Sequence, residues 1–234
     1  PEGEYLTDRL THEAIELIKR RKEQPFYLNL WHYTVHTPIQ APKALVKKYE
    51  RKAKRFKLDE INPFMEGENF PPDHKKHLRV QRRVIQSDQT YAAMIENLDT
   101  NIGLLIKTLK EEGILDDTMI VFTSDNGGLA TAEGSPTSNL PLAEGKGWNY
   151  EGGTRVCQIM RYPKLIQESS FCDTPVTSTD FYPTFLELAG LPLNPDQHCD
   201  GKSLMPLLNG ESIDRESIFW HYPHLSLIHI SEPT

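Results

Sequence analysis

The 234-residue chain is 38% hydrophobic and 25% charged, with a formal net charge of -7 at pH 7. Such values fit a globular chain long enough for one large α/β domain, and the acidic balance argues against nucleic acid as the main partner. No apolar run reaches the length that spans a bilayer, and Cys157, Cys172 and Cys199 show neither metal-ligand spacing nor a disulfide framework.

There is no initiator Met. Residues 1–5 read as the inside of a longer chain, so a missing leader carries no weight. Thr7 or Asp8 is expected to cap a helix with Leu10, Ala14, Leu17 and Ile18 on its apolar stripe, cations in its last turn, and Pro25 beyond its end. Residues 26–31, FYLNLW, read as a buried strand. They run into a stiff segment, 32–42, that contains Pro38 and Pro42. His36 then lies just past the carboxyl end of a strand, where open α/β sheets keep their ligand sites. His32 is expected to bond locally. On the residues alone, His36 reads either as a surface group or as a chemical one.

Residues 43–57 carry Lys43, Lys47, Lys48, Arg51, Lys52, Lys54, Arg55 and Lys57. They form either a solvated helix face or a patch that attracts polyanions. Residues 62–72 hold three prolines and read as a loop. A long helical region, 77–112, follows with a break near Gln86. Its core-facing seam is Tyr91, Ile95, Leu98, Ile102, Leu105 and Leu109, and Gly113 suits the position after its end.

The stretch 119–128, MIVFTSDNGG, is the one around which the chain is organised. Its apolar opening suits a strand buried on both faces. Its close delivers a carboxylate, Asp125, and an amide, Asn126, to the strand's end. Oxygen donors followed by glycines suit a hard cation such as Ca²⁺; the same residues also make an ordinary turn. A Gly/Ser/Thr/Pro loop, 129–141, leads to Lys146 between two glycines. Lys146 is either a solvated cation or one that reaches an anion through open backbone. Residues 156–160 read as a strand and 181–189 as a helix capped by Thr179 or Asp180 and closed by Gly190. Residues 201–208 read as a short helical turn, and 217–220 as a final strand leading to His221 and His224. The last ten residues, LSLIHISEPT, break the style of the chain and read as a non-native tail. They are left out of fold reasoning, His229 with them.

Five pieces in fixed order carry a resemblance: FYLNLWHYTVHTPIQAP (26–42), YAAMIENLDTNIGLLIKTL (91–109), TMIVFTSDNGG (118–128), SNLPLAEGKGWNYEGGTR (138–155), and 179–208 with DFYPTFLELAG and DGKSLMPLL. Together they resemble the sulfatases that use a formylglycine nucleophile, within the alkaline-phosphatase-like superfamily. The resemblance runs from Tyr5 to His224. It implies an α/β fold with a mostly parallel sheet flanked by helices, here incomplete, and the start of a small C-terminal antiparallel subdomain. Residues 1–217 would be a partial catalytic domain, 218–224 the start of that subdomain, and 225–234 the tail.

The resemblance also assigns roles. Asp125 and Asn126 match the pair that helps hold the active-site Ca²⁺. Lys146 matches the lysine that contacts the sulfate, and His36 the histidine beside the sulfate and leaving oxygen. His221 or His224 would line a sugar subsite. In such sites hydrated formylglycine attacks sulfur and the alcohol oxygen leaves. The implied substrate is a sulfated carbohydrate or an aryl sulfate ester, with a periplasmic or secreted location. Oligomeric state is not implied.

Departures from the family pattern limit what this chain does alone. The nucleophile motif, Cys or Ser followed by x-Pro/Ala-x-Arg, is absent; residues 157–161, CQIMR, lack its central residue. The early Asp-Asp metal pair and a Lys-x-His segment are absent too. Relatives often have Arg where Ala143 stands and Pro where Cys157 stands. The expectation is a middle-to-C-terminal portion, inactive and a poor Ca²⁺ binder by itself. Rival readings are a phosphoesterase or phosphonate hydrolase of the same superfamily and a non-catalytic binder of sulfated glycans.

Overall fold

The computed structural model describes residues 3–70 and 73–221. They form two compact units, Pro1–Thr118 with Asn126–Val156, and Met119–Asp125 with Cys157–Thr234. The divide runs between Asp125 and Asn126. The expected tail and His224 lie outside the described residues.

In the first unit, helices α1 (Leu6–Arg21) and α2 (Lys43–Arg55) both pack on α3 (Gln89–Glu111). The buried stripe of α1 is Thr7, Thr11, Ala14 and Ile18, at helical spacing, whereas Leu17 is 42% exposed. Polar pairing accounts for this rotation from the expected stripe. Thr7 Oγ1 meets Thr34 Oγ1 at 2.5 Å. Asp8 Oδ1 accepts from Asn97 Nδ2 at 2.9 Å and Asn101 Nδ2 at 2.7 Å. Thr7 and Asp8 are therefore committed to neighbours inside the helix. The N-cap is Tyr5, without a side-chain cap bond.

The same bonds turn α3. Ala93, Met94, Asn97, Asn101, Thr108 and Leu109 are buried, while Ile95 of the expected seam is 45% exposed. Buried amides are tolerated because each finds a partner. Asp88 caps α3 by accepting from Tyr91 N at 2.8 Å, and Gly113 follows its end at φ +74°. The expected break near Gln86 is thus a true helix start. Residues before it are not helical but form β2 (Arg79–Arg83), paired antiparallel with β1 (Phe64–Asn69) inside the expected 62–72 loop. Neither strand alternates strongly in hydropathy, which hid both. Val80 supplies the buried anchor at 2% exposure.

Residues 26–31 enter no sheet among the described residues, and Tyr27 and Trp31 are 71% and 81% exposed. Composition marked them as strand-like, but a strand needs a ladder partner as well as a sequence.

In the second unit, β3 (Ile120–Thr123) pairs antiparallel with β4 (Gln158–Arg161), Val121 opposite Met160. Both strand pairs among the described residues are antiparallel, in place of the expected parallel arrangement, and β3 is half-buried. Helix–strand alternation suggested parallel strands; it does not decide which strand lies beside which. Among the described residues, 217–220 form no strand, where one was expected; the rest of the expected subdomain segment, 222–224, lies outside them. Helix α5 (Phe181–Leu188) follows a capping box made by Thr177 and Asp180. Fully buried Asp180 also accepts from Lys202 N at 2.9 Å and takes both arms of the Arg215 guanidinium, at 2.8 and 2.5 Å. Thr184 Oγ1 donates to Asp180 O and accepts from Leu204 N, which fixes α6 (Met205–Leu208) against α5.

Candidate active site

The segment carrying His36 is irregular but tied down. His36 N donates to Tyr33 O at 2.9 Å. Tyr5 Oη donates to Gln40 O at 2.8 Å, and Thr37 Oγ1 donates to Glu133 Oε2 at 3.0 Å. His36 Nδ1 lies 2.8 Å from Thr37 O. A carbonyl only accepts, so Nδ1 carries the hydrogen in this network and Nε2 is left as an acceptor. Lys146 Nζ stands 2.8 Å from that Nε2, the right geometry for an ammonium N–H donating into the ring. The remaining N–H bonds of Lys146 are available to an anion. His36 is exposed and Lys146 half-buried.

Close backbone approach holds Lys146 there. Lys146 N donates to Gly128 O at 3.1 Å, and Gly127 N donates to Gly153 O at 2.9 Å. A Cβ at Gly127 would strike the Gly152 carbonyl, and one at Gly145 would strike the Gly128 carbonyl. Both positions therefore exclude any side chain. Asn139 is the clip between these backbones. Its Nδ2 donates to Gly128 O at 2.8 Å and Glu144 O at 2.9 Å, while its Oδ1 accepts from Gly128 N at 3.1 Å.

Glu144, at φ +57°, is 2% exposed. Its Oε1 accepts from Glu68 N at 3.0 Å and faces Arg82 Nη1 at 3.5 Å; its Oε2 is buried without a hydrogen bond. Burial pushes this carboxyl up from its ordinary 4.5, more than Arg82 and the Glu68 N–H pull it down. The carboxylate sits beneath Gly67 of β1, where a Cβ would come within 2.9 Å of Oε2. The loop bearing Lys146 is thereby anchored to the β1–β2 hairpin.

Sequence reasoning missed Asn139 and Glu144. Asn139 had a signal: glycines at close backbone approach leave polar groups that some side chain must satisfy. The expected local bond of His32 is not found. Both its ring nitrogens are buried without a partner, and burial holds its pKa below 6.5.

Asp125 is exposed and Asn126 half-buried. Their oxygens suit Ca²⁺ in kind, but Ca²⁺ takes about six to eight oxygen ligands. Among the described residues no three His, Cys, Asp or Glu side chains cluster to hold a metal. His221 is exposed at the end of the described residues. The three cysteines are free and exposed.

An imidazole and an ammonium thus stand together on a glycine-built backbone. The sulfatase family model matches residues 1–191, and the chain belongs to that family. It is 35% identical to a sulfatase of Formosa agariphila, aligned over 94% of this chain and 37% of that protein. It is 33% identical to human steryl-sulfatase, over 93% and 32%. The chain thus spans about a third of the length of these relatives. A crystal structure of Ps i-CgsB in complex with k-i-k-neocarrahexaose is similar, with TM-score 0.69 and 30% identity over 90% of this chain and 40% of that one. The fold is the alkaline-phosphatase-like α/β fold of the sulfatases. No described helix is long and apolar enough to cross a membrane.

Proposed function

We propose that this chain is the sulfate-binding and leaving-group portion of a sulfuric ester hydrolase acting on a sulfated carbohydrate. The observation that carries the reading is the 2.8 Å contact between His36 Nε2 and Lys146 Nζ. A sulfate ester spreads charge over its outer oxygens, and the Lys146 ammonium neutralises part of it in a pre-set position. The leaving alkoxide is a strong base, so it needs a proton as the bond to sulfur breaks. The Lys146–His36 hydrogen bond holds such a proton, and the Thr37 carbonyl and Glu133 orient the ring side of the pair. When present, Ca²⁺ would neutralise the sulfate and formylglycine would supply the attacking oxygen. Asp125 and Asn126 would be two of the metal's oxygen ligands; the Cys/Ser-x-Pro/Ala-x-Arg nucleophile motif is absent from this sequence.

Similarity to Ps i-CgsB, whose structure holds an oligosaccharide, supports a carbohydrate over an aryl alcohol. On this reading His221 or His224 lines a sugar subsite. Residues 1–217 belong to the catalytic domain and 218–224 begin the next subdomain. Family membership favours a secreted or periplasmic location. The test is sulfate release by the full-length protein, with Lys146→Ala and His36→Ala as variants. Release that both substitutions abolish supports the assignment; release unaffected by either removes these residues from the site. A full-length protein without turnover that still holds sulfated glycan would be a binder.

A further inference from the structure

The eight cations of residues 43–57 are all exposed, in a chain whose net charge is -7. On α2 the apolar arc of Leu45, Val46, Tyr49 and Ala53 faces α3, and the cations cover the rest. Lys48 is engaged by Glu96, at 2.6 and 2.7 Å from its two oxygens, and Lys52 lies over the Tyr49 ring. Lys43, Lys47, Arg51 and Lys54 fall within about 80° of one another on the helical wheel. Only Glu50 interrupts the run.

The dipole favours Lys52, Lys54 and Arg55 in the last turn of α2, but helix stability does not explain the rest of the row. Lys43, Lys47 and Arg51 repeat at i, i+4, where like charges repel. The first turn of α2 holds no acidic residue, so Lys43 stands uncompensated at the positive end of the helix dipole, where cations are disfavoured. A row of like charges held against its own repulsion is relieved by a bound polyanion.

We propose that the outer face of α2 is a docking surface for the anionic chain of a sulfated polysaccharide. It would grip the polymer away from the ester being cleaved. This rests on the sulfated-carbohydrate reading above. Lys43 to Arg55 spans about 18 Å along the helix axis, enough for several sulfate groups in a row. Lys43 follows His36 by seven residues, which bounds their Cα separation to about 25 Å. A polymer with an ester at the His36–Lys146 pair can therefore reach α2.

The experiment compares the full-length protein with the Lys43→Gln/Lys47→Gln/Arg51→Gln/Lys54→Gln variant, using heparin, desulfated heparin and duplex DNA as probes. Circular dichroism checks folding. Expected are weaker heparin binding by about tenfold or more, a shallower salt dependence, and unchanged hydrolysis of a small aryl sulfate. Unchanged heparin affinity, equal affinity for desulfated heparin, or tighter binding of DNA would overturn the proposal. Should the quadruple variant unfold, Lys43→Gln/Lys47→Gln removes only the two cations nearest the start of α2, and weaker heparin binding is expected from it as well; unchanged binding by this folded pair counts against the surface. If the small ester is not hydrolysed by the wild type, the hydrolase reading fails, while the heparin comparison still decides the surface.

Discussion

His36 Nε2 and Lys146 Nζ stand 2.8 Å apart, although 110 residues separate them in the chain. Neither residue sits on a regular element. Their meeting depends on two irregular segments, one stiffened by proline and one by glycine. In the full-length protein, His36→Ala is expected to lower kcat by about 10²–10⁴, the range for a lost proton-transfer group. Lys146→Ala is expected to cost about 10²–10³. The double variant should lose much less than the product, because the two share one proton. Fully multiplicative losses in a sulfate-release assay would show that they act separately.

Asn139 should matter for turnover without touching substrate. Its three bonds to Gly128 and Glu144 set where Lys146 stands. Asn139→Ala is expected to lower kcat by up to about 10²-fold, a cost typical of small misplacement. KM should change less, and the shape of the pH profile should persist. A kcat equal to wild type would mean that the glycine backbone needs no clip.

The site was legible in part because it is written in short segments. His36 and Lys146, which the structure brings together, stand in the VHTP and GKG segments, and Asp125 and Asn126 in DNGG. Helices α1, α2 and α5 were expected close to where they lie. The faces of α1 and α3 were not, because the buried positions are polar. Thr7, Asn97 and Asn101 take the core side by hydrogen bonding, which a hydrophobic pattern does not register, and Thr11 is buried beside them with its hydroxyl unpaired. Strands β1 and β2 escaped for a related reason: FMEGEN and RVQRR owe their stability to each other and to buried Glu144. Strand direction depends on long-range pairing, and no local pattern encodes it.

The Asp180–Arg215 pair makes a stability prediction. Asp180 is fully buried and the guanidinium bonds both its oxygens; hydrogen bonding to Asp180 raises the Arg215 pKa in turn. Arg215→Met removes one partner and leaves a buried carboxylate. The expected loss is about 3–5 kcal/mol, read as a drop in the denaturant midpoint. A loss below about 1 kcal/mol, the scale of an exposed pair, would mean that the backbone donors Thr177 N and Lys202 N suffice.

Glu144 makes a pH prediction. Its folded-state pKa is raised above 4.5 by burial, so the folded chain holds the proton more tightly than the unfolded one. Linkage then gives a stability contribution that is present below 4.5 and lost as pH rises through the raised value. Glu144→Gln keeps an acceptor for Glu68 N and does not titrate. Its Tm should fall less than that of the wild type as pH rises across that window. Parallel Tm-versus-pH curves would exclude Glu144 as the source.

The central claim is that the His36–Lys146 pair serves a sulfate ester. The most direct measurement is kcat/KM of the full-length protein for matched aryl sulfate, phosphate and phosphonate esters, before and after Lys146→Ala. The account predicts that the sulfate ester is the best substrate and that its advantage collapses in the variant. A phosphate or phosphonate ester cleaved faster than the sulfate, with Lys146 intact, would contradict it.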